Sequence, residues 1–204
     1  MRGKFIVIEG QDGLGKTTQA KLLCDYCTRL GRPVASLREP GGTSLGEDLR
    51  TLIKGHTEDI DPYAELMLLC ASRIQLVKQV IEPTLAEGTI VVCDRYFYSS
   101  IAYQIYGYDL LRSSKNNQVF DLVAASTRGL YPDATIFLTG NSWRGLDGND
   151  YFERHTEDYF DRVAEGYDKM AEEYSNLSCV NANRPVHEVH ASIIAALHDL
   201  GCAG

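Results

Sequence analysis

The 204-residue chain has no apolar run approaching the ~18 to 20 residues needed to cross a bilayer. Nor does it open with the apolar stretch of a secretory leader: Met1-Arg2-Gly3-Lys4 leads straight into a strand-like segment, and a cytoplasmic protein is expected. Positive charge is in short supply. Twenty basic against 28 acidic residues leave a formal charge of −8, the wrong sign for binding nucleic acid by phosphate neutralisation. Any anion must therefore be held in a local pocket. Regular cysteine spacing is missing too, since Cys24, Cys27, Cys70, Cys93, Cys179 and Cys202 are scattered and do not resemble a secreted disulfide framework. Cys24-Asp25-Tyr26-Cys27 has no second pair to complete a tetrahedral metal site, so both thiols are read as helix packing. His56, His155, His187, His190 and His198 form no ligand set and are taken as solvated. Repeats and low-complexity linkers are absent. What is present, 44% hydrophobic and 24% charged residues, suits one globular domain over 1–204.

Strands and helices alternate along the chain. Lys4 to Glu9, with Phe5-Ile6-Val7-Ile8, is a continuous apolar run fit for a strand buried on both faces. Further strands are predicted over Pro33–Leu37, Thr89–Cys93, Ala134–Leu138 and, more weakly, Leu177–Asn181. Helices are predicted over Lys16–Leu30, Leu45–Lys54, Pro62–Ile81, Tyr98–Tyr106, Asn117–Arg128, Asp150–Glu173 and Val186–Leu200. Gly31 closes the first helix, and Pro62 opens the third. Met67 and Leu68 are assigned to the core. This alternation implies crossover units and an α/β fold, a five-stranded parallel sheet with helices on both faces. Gly140 to Asn149 is rich in glycine and asparagine and reads as a short lid loop at about 140–150.

Gly10-Gln11-Asp12-Gly13-Leu14-Gly15-Lys16-Thr17 satisfies G-x-x-x-x-G-K-S/T at every fixed position, between a predicted strand and a predicted helix. That context marks a P-loop NTPase fold. Backbone N–H groups and the helix N-terminus receive phosphate oxygens, Lys16 bridges the terminal phosphates, and the Thr17 hydroxyl joins a magnesium shell. The guanine-specifying N-K-x-D is absent, which argues against a GTPase switch. Arg38 follows the second strand, and Asp94-Arg95-Tyr96 follows the third. Ligands collect at the carboxyl ends of parallel strands, so Arg38, Asp94 and Arg95 should converge beside the loop, in a site for two phosphorylated ligands.

The run Ile8 to Leu23 resembles the opening of thymidylate kinases of the bacterial type. So do Arg38-Glu39-Pro40-Gly41-Gly42-Thr43, the helix from Ala64-Glu65-Leu66 to Arg73-Ile74-Gln75, and Asp94-Arg95-Tyr96 with Ser99-Ser100-Ile101-Ala102-Tyr103-Gln104. The resemblance implies transfer of the ATP γ-phosphoryl group to the 5′-phosphate of dTMP, giving dTDP, with Mg2+, in a homodimer; the charge and the lack of a long apolar run leave neither nucleic acid nor membrane as an expected partner. Gly10 to Lys16, Thr17 and Thr18 would hold ATP, and Thr17 and Asp94 the metal. Arg38 and Arg95 would grip the acceptor phosphate, and Asp12 would meet the sugar 3′-hydroxyl or the metal shell. Arg73 and Ser100 would read the pyrimidine, with Ser99 and Gln104 nearby, and Tyr103 would close the space of a ribose 2′-hydroxyl.

Two departures accompany the resemblance. Leu69 stands where the family usually has a phenylalanine that stacks on thymine, which leaves room for dUMP or a 5-modified deoxyuridine monophosphate. The lid is short, with Tyr151 in place of an arginine, so Arg144 is the candidate for the closing charge and Trp143 for packing beside it. A catalytically weak nucleotide-binding protein is the alternative of another class.

Overall fold

The computed structural model describes residues 1–113, 118–140 and 155–202. Five strands form one all-parallel sheet: β1 Phe5–Gly10, β2 Val34–Arg38, β3 Ile90–Asp94, β4 Ala134–Thr139 and β5 Leu177–Asn181, in spatial order β2-β3-β1-β4-β5. Around it lie α1 Lys16–Arg29, α2 Ser44–Gly55 and α3 Pro62–Leu76. Helix α3 continues through a π-helical turn, Val77–Ile81, into Glu82–Ala86. Next come α4, made of Phe97–Ser99 and the π-helical Ser100–Gly107, then α5 Leu110–Ser113, α6 Gln118–Ser126, α7 Glu157–Glu173 and α8 Val186–Asp199.

The pleat of the strands sorts the core into two halves. Phe5, Val7, Val91, Cys93 and Phe137 face one side with residues of α3, α4 and α7, while Ile6, Ile8, Val92, Ile136 and Leu138 face the other with residues of α1 and α8. Both faces of β1 are therefore dry, as its unbroken apolar run requires. Helix ends are set by short polar side chains: Thr43 accepts from Gly46 N, Asp61 from Tyr63 N and Ala64 N, and Thr156 from Tyr159 N. Helix α1 differs, starting at Gly15 with no side-chain cap and no acidic residue in its first turn. Its leading N–H groups are left open toward the site.

Several expectations are corrected here. The long third helix runs past Ile81, and Met67 is 57% exposed on its outer face instead of in the core. His155 stacks on Tyr159, with ring centroids 4.0 Å apart, and His190 is half-buried, so these two histidines are not solvated. Residues 150–154 of the expected Asp150–Glu173 helix, together with Trp143, Arg144, Tyr151 and the lid loop from 141, lie outside the described residues. All six cysteines are free. Among the described residues, no helix is long and apolar enough to cross a membrane.

Candidate active site

Register alone brings the first residues together. Ile8 pairs with Asp94 across β1 and β3, and Arg38 pairs with Asp94 across β2 and β3, so three strands end at one crevice. The loop Gly10 to Gly15 crosses it. Gly10 has φ 134, and a Cβ there would strike the Leu138 carbonyl oxygen of the neighbouring strand. Gly15 is left-handed at φ 81, yet a Cβ there would meet no protein atom within 4 Å. Gly15→Ala is thus expected to cost only about 1 kcal/mol of fold stability, from the backbone conformation, while nucleotide affinity falls much further because the methyl group projects into the open space beside the loop. Thermal denaturation and an ATP titration on the same sample separate the two effects.

Lys16 is buried and folds back over the loop, its Nζ donating to the Gln11 carbonyl at 2.7 Å. Burial, with the charge of Arg95 close by, pushes its amine down to about 8, against the pull of Asp12. An arriving polyphosphate would reverse that balance. Thr17 Oγ1 donates to Asp94 Oδ2 at 2.6 Å, so the two oxygen donors assigned to magnesium adjoin. Among the described residues, no group of three or more His, Cys, Asp or Glu could hold a metal unaided. The small oxygen set suits magnesium, which keeps waters and shares substrate phosphates.

Arg95 is the centre of the crevice. Its backbone is left-handed at φ 73, an uncommon state for a residue with a side chain, and its N–H donates to the Ile8 carbonyl. The guanidinium reaches Asp12 Oδ1 at 2.5 Å, Ser99 Oγ at 2.7 Å and Tyr103 Oη at 3.3 Å. Tyr103 in turn donates to Asp12 Oδ2 at 3.1 Å. Burial would raise the Asp12 carboxyl, but the charges of Arg95 and Lys16 and these hydrogen bonds hold it below the ordinary carboxylate range.

Beside Arg95 opens a cleft of about 710 Å³, solvent at its mouth included. Asp12, Leu69, Arg73, Arg95, Ser99, Ser100, Tyr103 and Gln104 all line it, so eight residues singled out from sequence share one wall system. The π-helical turn keeps Ser100, Tyr103 and Gln104 on that side together; such turns recur at functional sites. Arg73 is 2% exposed and tightly held: Nε donates to Glu39 at 2.8 Å, Nη1 to Ser126 Oγ, and Nη2 to the Tyr96 carbonyl and Ser100 Oγ. Four of its five N–H groups are engaged, leaving one on Nη1.

Arg38 departs from expectation. Its side chain is half exposed and pairs with Glu47 at 2.7 Å, outside the cleft wall, because Glu47 is anchored nearby by the Gly42 N–H. Two other cations line the cleft instead, Arg50 and Lys54, one helical turn apart on α2. Their i, i+4 spacing was the available signal. Glu9 was also missed. Fully buried at the end of β1, it accepts from Tyr96 N, Ser99 N, Ser99 Oγ and Tyr167 Oη, tying the loop strand to the start of α4 and to α7. A carboxylate closing an apolar strand was its only mark in the sequence.

A phosphate loop on one side of Arg95 and, on the other, a cleft whose apolar wall carries a few charged, hydroxyl and amide groups define a P-loop kinase of the nucleoside monophosphate type. A family description, thymidylate kinase, matches residues 8–193. Thymidylate kinase of Neorickettsia sennetsu is 41% identical over 188 residues, 91% of each chain, and that of Chlorobium luteolum is 37% identical over 211 residues, 96% of this chain and 97% of the other. The crystal structure of thymidylate kinase from Ehrlichia chaffeensis superposes with a TM-score of 0.78 at 28% identity, covering 97% of this chain and 100% of that one. The chain belongs to the thymidylate kinase family.

Proposed function

We propose that the protein transfers the γ-phosphoryl group of ATP to the 5′-phosphate of dTMP, giving dTDP. The single observation that carries this reading is the arrangement at Arg95, whose guanidinium stands between the phosphate loop, through Asp12, and the acceptor cleft that it lines. The loop N–H groups, the open start of α1 and Lys16 would hold the donor phosphates, with Thr18 at the edge of that set. Arg95 would hold the acceptor phosphate and compensate the charge of transfer, as this chemistry requires mainly positioning and electrostatics. Arg50 and Lys54 would add positive field at the cleft, in place of the role first given to Arg38. Mg2+, held through Thr17, Asp94 and the nucleotide, would neutralise phosphate charge.

In the cleft, the remaining Arg73 N–H would meet a pyrimidine carbonyl, and the Gln104 amide would meet the neighbouring ring nitrogen. Tyr103 would crowd a ribose 2′-hydroxyl, and Leu69 gives the base an aliphatic wall. That wall favours one second reading, a 5-modified deoxyuridine monophosphate as acceptor. A homodimer would cover Met67 and Ile74, exposed apolar residues two turns apart on α3. ATP consumption coupled to dTMP, dUMP, 5-hydroxymethyl-dUMP, dCMP and thymidine tests the reading. Greatest kcat/KM with dTMP is expected; no turnover with any pyrimidine monophosphate would leave only a nucleotide-binding protein.

A further inference from the structure

Glu65 lies on α3 with no accessible surface. Its Oε1 accepts from Gln104 Nε2 at 2.7 Å, and its Oε2 accepts from Tyr108 Oη at 2.8 Å. Tyr108 is itself held, 3.2 Å from His155 Nε2 and edge-on to the Tyr159 ring. Both carboxylate oxygens are thus used as acceptors. The Gln104 amide must therefore turn its NH2 toward Glu65, because the flipped amide would set two acceptor oxygens face to face in a dry site. Gln104 lines the cleft, and its Oε1 accepts no hydrogen bond from the described residues. That carbonyl is what Gln104 can offer a ligand.

The orientation matters for base choice. Uracil and thymine present an N3–H donor beside a carbonyl acceptor, whereas cytosine presents N3 as an acceptor beside an amino donor. Arg73 and Gln104 both line the cleft, and a Gln104 carbonyl together with the remaining Arg73 N–H would complement the first edge and oppose the second at both positions. We propose that Glu65, a positioning residue that need not touch substrate, decides between uracil-type and cytosine-type bases by fixing the Gln104 amide. The proposal rests on the base-pocket reading above and goes beyond it by placing the decision one layer behind the pocket.

The test compares kcat/KM for dTMP and dCMP in the native protein and in Glu65→Gln. An amide at 65 can donate as well as accept, so Gln104 becomes free to turn. The dTMP-to-dCMP ratio is expected to fall at least about tenfold, the equivalent of one lost oriented hydrogen bond. The change should appear in the KM values, a lower one for dCMP and a higher one for dTMP, with ATP KM little altered. Glu65→Asp keeps an acceptor-only partner and should restore part of the ratio. Tyr108→Phe, which removes one of the two hydrogen bonds that hold Glu65, should give a smaller fall in the same direction and carries the test if Glu65→Gln does not fold. An unchanged ratio in folded Glu65→Gln, or failing that in Tyr108→Phe, overturns the proposal. Gln104→Leu separates the two levels: if it collapses the ratio while Glu65→Gln does not, only the orienting role is wrong. If Gln104→Leu leaves the ratio intact, the base-pocket reading is wrong.

Discussion

Arg95→Met is expected to lower kcat/KM for dTMP by about 10³-fold, the upper range for deleting one charge-stabilising donor in a buried site. Methionine keeps much of the length and apolar volume while removing the fork that binds Asp12, Ser99 and Tyr103. Arg95→Lys keeps a charge but not the planar fork, and an intermediate loss is expected. The fold should suffer far less. Asp12 is about one-third exposed and retains Lys16 at 3.6 Å, so the broken ion pair costs only about 1 kcal/mol. The acid limb gives a check on sign. Asp12 titrates in the folded protein below its unfolded value of 3.8, so the pair stabilises fully above that pH and the contribution is lost as pH falls through the folded-state value. The stability difference between native protein and variant should accordingly close in acid, as read by denaturant titration at several pH values. Turnover within threefold of native would remove Arg95 from the centre of the mechanism.

The second large effect is on stability. Glu39 and Arg73 form an ion pair at 2.8 Å with side chains 5% and 3% exposed, in the wall of the cleft. Glu39→Leu is expected to cost about 3 to 5 kcal/mol, because arginine cannot shed its proton and is left charged in a dry setting. Arg73→Leu should cost less. Burial already pushes the Glu39 carboxyl up against the pull of Arg73, so without the arginine Glu39 takes a proton and becomes neutral. The double variant should be more stable than Glu39→Leu alone. Equal costs for the two single variants, measured by urea unfolding, would contradict this asymmetry. Under the proposed base pocket, both Arg73 variants should also raise the KM for dTMP, since the remaining N–H would be gone.

The sheet was legible because β1, β3 and β4 carry unbroken apolar runs and every crossover a helical period, while β2 and β5 are more mixed, and the strand bounds needed correction by only a residue or so. The loop Gly10 to Thr17 was equally legible, since its glycines and Lys-Thr pair act through backbone and adjacent residues. Arg38 was misplaced for the opposite reason. Position after a strand gives the start of a side chain but not its direction, and Glu47, nine residues on, captures its guanidinium. Arg50 and Lys54 escaped notice because a helix far from the loop in sequence turns them into the cleft.

By itself the sequence determined the parallel sheet, the phosphate loop and the set of arginines near the strand ends, all properties carried by neighbouring residues. Only the tertiary structure decided which arginine enters the cleft, that Glu9 joins three elements, and that Glu65 orients Gln104 across 39 residues of chain. Those are matters of direction in a packed interior, where a hydrogen bond's effect depends on which atom faces which. No local pattern of residues encodes that.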